Sequence, residues 1–172
     1  LVGFWLHQVA MGWLIFQMTH SAFWVGAVAA LGGLPFLIFS IFAGVYIDKA
    51  NKQELLLWTQ SLEAVFAFIL GLLVFLSLTN LWVIIVLVFL NGIVAAVDLP
   101  ARQTFIIEMV GRRDLASAIP INNALFNGAR FIGPAAAGVL IASTGVAWPF
   151  ILNGLSFLTA IWAISKVKPV FL

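Results

Sequence analysis

The sequence predicts an all-α membrane protein of six transmembrane helices, and three observations carry the prediction. Of 172 residues, 64% are hydrophobic and only 8% are charged, against roughly 25% charged residues in a soluble globular domain. The apolar residues fall into six blocks with short polar punctuation between them, each near the roughly 20 residues that cross a bilayer as a helix. Within the blocks apolar and polar residues do not alternate, which argues against the wall of a β-barrel.

Span one, about 1–18, carries His7, Gln8 and Gln17 among Trp5, Trp13 and Phe16 and is polar for a membrane helix. Residues 19–21 make a turn, with Ser21 placed to cap the next helix. Span two, about 22–47, contains Gly32, Gly33 and Pro35, a combination that permits a kink and the close approach of a neighbour. A charged turn follows, holding Asp48, Lys49, Lys52 and Glu54. Span three, about 54–78, has Thr59, Gln60 and Glu63 within one turn, and residues 79–80 close a very short connection. Span four, about 81–99, is nearly all aliphatic until Asn91 and Gly92 and ends at Asp98, Pro100 and Arg102. Residues 103–114 read as a polar, amphipathic link. Span five, about 115–142, places Asn123, Asn127 and Arg130 along one face, beside a seam of small residues, Ala129, Gly133 and Ala137, of the kind that lets membrane helices pack closely. Span six, about 147–165, has Asn153 inside it and precedes Lys166 and Lys168.

The basic residues give an orientation. The links after spans two, four and six hold Lys49, Lys52, Arg102, Arg112, Arg113, Lys166 and Lys168, while the links after spans one, three and five hold no Lys or Arg. The positive-inside rule then puts the even links, and the amino terminus of the complete first helix, in the cytoplasm. The chain opens at Leu1 within an apolar run, without a charged start or a cleavage site, so the expectation is a fragment cut inside the first helix and beyond the sixth.

Composition also narrows the chemistry. With no cysteine, disulfides, thiolate metal sites and cysteine nucleophiles are excluded. His7 and His20 make no metal set, and there is no Gly-rich phosphate loop, nucleophile triad or paired-carboxylate motif. No enzyme, metal or cofactor is expected. The net charge of +2 lies in loops between spans, so the partner it implies is the lipid bilayer and not nucleic acid.

Three groups of residues could carry function. Arg130 lies near the middle of span five, where a charge costs at least ~2.5–3.5 kcal/mol. It could line a cavity with Asn123 and Asn127 and meet an anionic substrate, or be locked to backbone carbonyls or an acid to hold helices together. Glu63, the one acid well inside a span, could exchange protons or simply be hydrogen-bonded to Gln60. Asp98 closes span four on the side of the turn after span two, where Lys49 or Lys52 could pair with it in a latch that breaks and re-forms. Gly/Pro-interrupted segments in the second helix of each triplet, Gly32-Gly33-Leu34-Pro35 and Gly133-Pro134, fit an inverted 3+3 transporter repeat.

Gly44-x-x-x-Asp48-Lys49-x-x-Lys52 resembles the loop signature between the second and third helices of the major facilitator superfamily. Gly133-Pro134-x-x-Ala137-Gly138 resembles the antiporter motif of its fifth helix. Trp5-x-x-Gln8, Pro100-Ala101-Arg102-Gln103 and Phe126-Asn127-x-Ala129-Arg130 are similar to the branch that includes the enterobactin exporter and drug:proton antiporters. The resemblance covers all 172 residues. It implies the amino-terminal six-helix half of a twelve-helix transporter of the bacterial inner membrane, with the carboxy-terminal half missing. It implies proton-coupled export of a small amphiphilic substrate, a siderophore or drug, by alternating access. By position, Asp48 would act at the contact with the missing half, Lys49 would pair with Asp98, and Gly44 and Lys52 would complete the gate. Gly133, Pro134 and Gly138 would shape span five, and Gln8, Asn123, Asn127 and Arg130 would line the cavity. Span four has no basic residue before Arg102 and span one has no acid, so two positions that the family links to proton movement have no counterpart. The rival readings are an importer or symporter of a small solute and a non-transporting membrane scaffold.

Overall fold

The computed structural model describes residues 1–167; the side chains of residues 41, 42, 45, 46, 48, 49 and 110–118 lie outside the description. The described residues form five α-helices: α1 (Val2–Thr19), α2 (Ala22–Lys49), α3 (Lys52–Phe75), α4 (Leu81–Thr144) and α5 (Ala147–Lys166). No strand occurs among them.

Each boundary has a local cause. α1 ends where His20 turns into the left-handed region at φ 49° and its N–H reaches Phe16 O at 2.8 Å. Ser21 occupies the cap position of α2, but its side chain makes no capping hydrogen bond; its own N–H instead donates to Thr19 Oγ1 at 3.3 Å. α3 is capped by Asn51, whose Oδ1 accepts from the N–H groups of Gln53 and Glu54. The Asn51 side-chain Nδ2 in turn donates to Glu54 Oε1 at 3.1 Å, so the cap and the third helical residue also hold each other side chain to side chain. α3 stops at Phe75, three residues short of the expected end, because Leu76 and Ser77 turn the chain, Ser77 at φ 56°. Asn80 caps α4 through Trp82 N–H at 2.9 Å. Gly145, at φ 96°, turns the chain into α5.

The link expected at residues 103–114 is a correction: it is helical, so spans four and five belong to one α4 of 64 residues. The segment after Arg102 contains helix formers and no proline before Pro120, so helix carries well past the expected end of span four before the chain turns back. α4 is nevertheless not a straight rod. Leu81 and Ile141 pack on the same cluster, although 60 residues of straight helix would part them by roughly 90 Å. The segments Leu81–Met109 and Ile119–Thr144 therefore lie side by side in one bundle.

Two apolar clusters hold the helices. Ala10, Met11, Leu14, Ile15, Val28, Leu70, Ile84 and Phe150 fill one, and Ala43, Ile47, Leu56, Ala101 and Phe105 fill the other. α2 and α4 cross where Gly92 abuts the Gly32 carbonyl; a Cβ on Gly92 would overlap that oxygen, and one on Gly32 would lie 2.7 Å from Val88 Cγ1. The start of α3 is tied to the end of α5 by Gln53 Nε2, which donates to Ile164 O at 2.7 Å and Val167 O at 2.8 Å. Large apolar side chains point outward, Phe131 at 82% exposure among them, as a lipid-facing surface requires. Ala22–Ser40, Lys52–Phe75, Leu81–Met109, Ile119–Thr144 and Ala147–Lys166 are long and apolar enough to cross a membrane. α1, with His7, Gln8 and Gln17, is not among them, yet Leu6, Ala10, Met11, Leu14 and Ile15 bury one side of it in the bundle.

Candidate functional site

Three polar groupings break this apolar frame. The densest lies between α3 and α4, where Thr59, Gln60, Glu63 and Asp98 are all buried. Thr59 and Gln60 are adjacent in α3 and Glu63 is one turn on, so the helix presents them together. Thr59 Oγ1 donates to Asp98 Oδ1 at 2.6 Å and Gln60 Nε2 to the same oxygen at 2.8 Å. Gln60 Nε2 also lies 3.2 Å from Glu63 Oε2. Arg102, one turn along α4, closes an ion pair on Asp98 Oδ2, with its own side chain 42% exposed. A buried carboxylate with a charged partner and hydrogen bonds on both oxygens meets the conditions under which such a group is tolerated.

The second grouping is the face of α4 that turns to α1. Ala129, Gly133 and Ala137 are its buried residues, and a Cβ on Gly133 would overlap the Trp5 Cβ. Trp5 meets Phe126 edge-on, with centroids 5.8 Å apart, and Arg130 lies over its ring at 5.7 Å, within cation–π range. No carboxylate pairs with Arg130 among the described residues. Asn127 Nδ2 donates to Asn123 O at 2.9 Å. Asn123, Asn127, Arg130 and Gln8 are all exposed.

The third is a contact that sequence reading missed. Asn153 of α5, 4% exposed, sets its amide 3.3 Å from His7 Nδ1, while Phe150 packs edge-on against the His7 ring. Polar residues inside the first and sixth spans were the available signal, but only the packing matches them to each other.

The other expected positions are less engaged. Gly44 is half-buried and Gly138 exposed, and neither has a neighbour within 4 Å of a would-be Cβ. Pro134 is half-buried within α4. The side chains of Asp48 and Lys49 lie outside the described residues. Lys52 pairs with Glu108 at 3.3 Å, and among the described residues Asp98 forms its ion pair with Arg102 and takes its hydrogen bonds from α3. Two shallow grooves are apolar or peripheral, one along Phe131 to Ser143 and one between Leu1 and α5; neither is lined by Gln8, Asn123, Asn127 or Arg130.

Comparison with known proteins decides the family, because the family described as transmembrane secretion effectors matches residues 1–171. The chain belongs to this major facilitator superfamily family. The transmembrane secretion effectors it resembles are transporters and not enzymes. The staphyloferrin A transporter of Staphylococcus aureus is 29% identical over 93% of the chain and 41% of its own length. The multidrug efflux pump Tap of Mycolicibacterium fortuitum is 28% identical over 93% of the chain and 40% of its own length. The enterobactin exporter EntS of Citrobacter koseri is 28% identical over 87% and 36%. The chain thus spans about two-fifths of the length of the curated relatives it matches. No solved structure matches it. The chain is an integral membrane protein of this family.

Proposed function

We propose that residues 1–172 form the amino-terminal six-helix half, a 3+3 repeat, of a bacterial inner-membrane exporter. The complete protein moves an amphiphilic small molecule, of the siderophore or drug type its relatives' names describe, outward in exchange for protons by alternating access. The amino terminus is cytoplasmic. The observation that carries this reading is Arg130, which stands near the middle of the Ile119–Thr144 span, exposed and stacked on Trp5 without a carboxylate partner among the described residues. An intramembrane guanidinium faces protein or a watery cavity and not lipid. With Gln8, Asn123 and Asn127 it forms one wall of the substrate pathway, and the carboxy-terminal half supplies the other. Asp48, Lys49, Lys52, Gly44 and Asp98 serve the cytoplasmic gate, and Glu63 is the proton-carrying candidate.

The test uses inverted membrane vesicles containing the full-length protein and energised to an acidic interior. Siderophores and lipophilic drugs are added while lumenal pH is followed. A substrate-dependent rise, lost in Arg130→Ala, is the expected result. Solute movement without any pH change contradicts proton coupling, and no solute movement at all contradicts the transport reading.

A further inference from the structure

The cluster between α3 and α4 contains two acids joined through one nitrogen. Gln60 Nε2 lies 3.2 Å from Glu63 Oε2 and 2.8 Å from Asp98 Oδ1, and Gln60 itself is only 1% exposed. At that burial water cannot replace either bond. The two carboxylates are held unequally. Asp98 accepts from Thr59 and Gln60 on one oxygen and from Arg102 on the other, whereas Gln60 is the hydrogen-bond donor to Glu63. Among the described residues, the charges that meet within the cluster are Glu63 from α3 and Asp98 and Arg102 from α4; the amino group of Leu1 lies within electrostatic reach of Arg102, and the neighbouring ion pair is Lys52 with Glu108. Two acids against one guanidinium become neutral on uptake of one proton, and Arg102, 42% exposed, is the member of the cluster that reaches the surface of the chain.

A carboxamide has a donor end and an acceptor end. With both acids ionised, the Gln60 NH₂ group can serve both. A proton taken from water by the Glu63 carboxylate creates an O–H donor in a buried site, and a buried donor left unmatched is costly. The Gln60 carbonyl oxygen can receive it if the amide turns, while the NH₂ group stays on Asp98. We propose that Gln60 is the positioning residue that couples Glu63 to the Asp98–Arg102 pair, its carboxamide turning as Glu63 gains or loses a proton. The proposal rests on the transport reading for its purpose, but the coupling is a property of these four side chains.

The experiment uses the full-length protein in lipid nanodiscs, with infrared difference spectra recorded as pH is lowered. The protonated-carboxyl band that disappears in Glu63→Gln belongs to Glu63. Asp98→Asn displaces this band when Gln60 is present. In Gln60→Met, which keeps the shape without the amide, the displacement falls by at least about threefold, the non-additivity expected of a coupled pair. Thr59→Val removes a donor from Asp98 alone and leaves the displacement intact. Gln60→Asn, one methylene too short to reach both acids, gives the same loss should Gln60→Met fail to fold. An undiminished displacement without Gln60, or no Glu63 band at any pH, overturns the proposal. Lost displacement without proton-linked solute movement contradicts the transport reading instead and leaves the coupling standing.

Discussion

At Asp98 three donors converge in a site that is 3% exposed, and removing the acceptor has a different cost from softening it. Asp98→Leu removes the acceptor shared by three donors, of which Thr59 keeps the Leu56 carbonyl, Gln60 keeps Glu63 and Arg102 keeps its exposed side; breaking one side of a buried pair costs about 3–5 kcal/mol, and the half-exposed Arg102 puts the expectation at the lower end of that range. Asp98→Asn keeps one acceptor oxygen and loses about 1–3 kcal/mol. Denaturant unfolding of the full-length protein in detergent measures the difference, and equal losses would mean that these bonds contribute little. Part of the site could be read from the residues alone. Thr59, Gln60 and Glu63 interrupt an apolar helix within one turn, and Asp98 and Arg102 stand at helical i, i+4 spacing. Their meeting could not, because contact between residues 38 and 39 positions apart depends on the rotation of two helices, which apolar blocks do not record. Spacing alone offered Lys49 or Lys52 to Asp98; Lys52 pairs with Glu108 instead, and the Lys49 side chain lies outside the described residues.

Among the elements, the contact of α1 with the second half of α4 rests on one missing side chain. Ala129, Gly133 and Ala137 turn inward, and Gly133 admits the Trp5 Cβ to the helix backbone. Gly133→Val is expected to destabilise the full-length protein by about 1–3 kcal/mol through overpacking, while Gly138→Val, with open space around its Cβ position, is expected to change stability by less than about 0.5 kcal/mol. Thermal unfolding followed by circular dichroism separates the two, and equal effects would show that the seam does not set the helix approach. This seam was legible because small residues at i, i+4 and i+8 announce close packing in a membrane. The continuity of α4 was not. Polar residues between Arg102 and Leu115 do connect two spans, Leu81–Met109 and Ile119–Thr144, but they do so in helical conformation, which hydropathy does not mark. Likewise Ser21 has a capping side chain at a capping position, but the turn orients its N–H toward Thr19 instead.

For the whole molecule, the central claim is that the exposed polar face of α4 belongs to a water-filled substrate pathway, whereas the exposed apolar face belongs to lipid. Exposure alone does not separate them, since Asn127 and Phe131 are both open in this chain. Their chemistry does, because an intramembrane polar line beside Arg130 is stable only against water or protein. On the proposed reading residues 1–172 enclose one wall of that pathway, so transport by them alone is not expected. The most direct measurement is the reaction of Asn127→Cys and Phe131→Cys with a membrane-impermeant thiol reagent in the full-length protein in membranes. Residues 1–172 contain no cysteine, and any cysteine elsewhere in the full-length protein is replaced beforehand. The account predicts that position 127 reacts and that a transported compound slows it, while position 131 stays inert. Equal inertness at both positions, or reaction at 131 and not at 127, would contradict it.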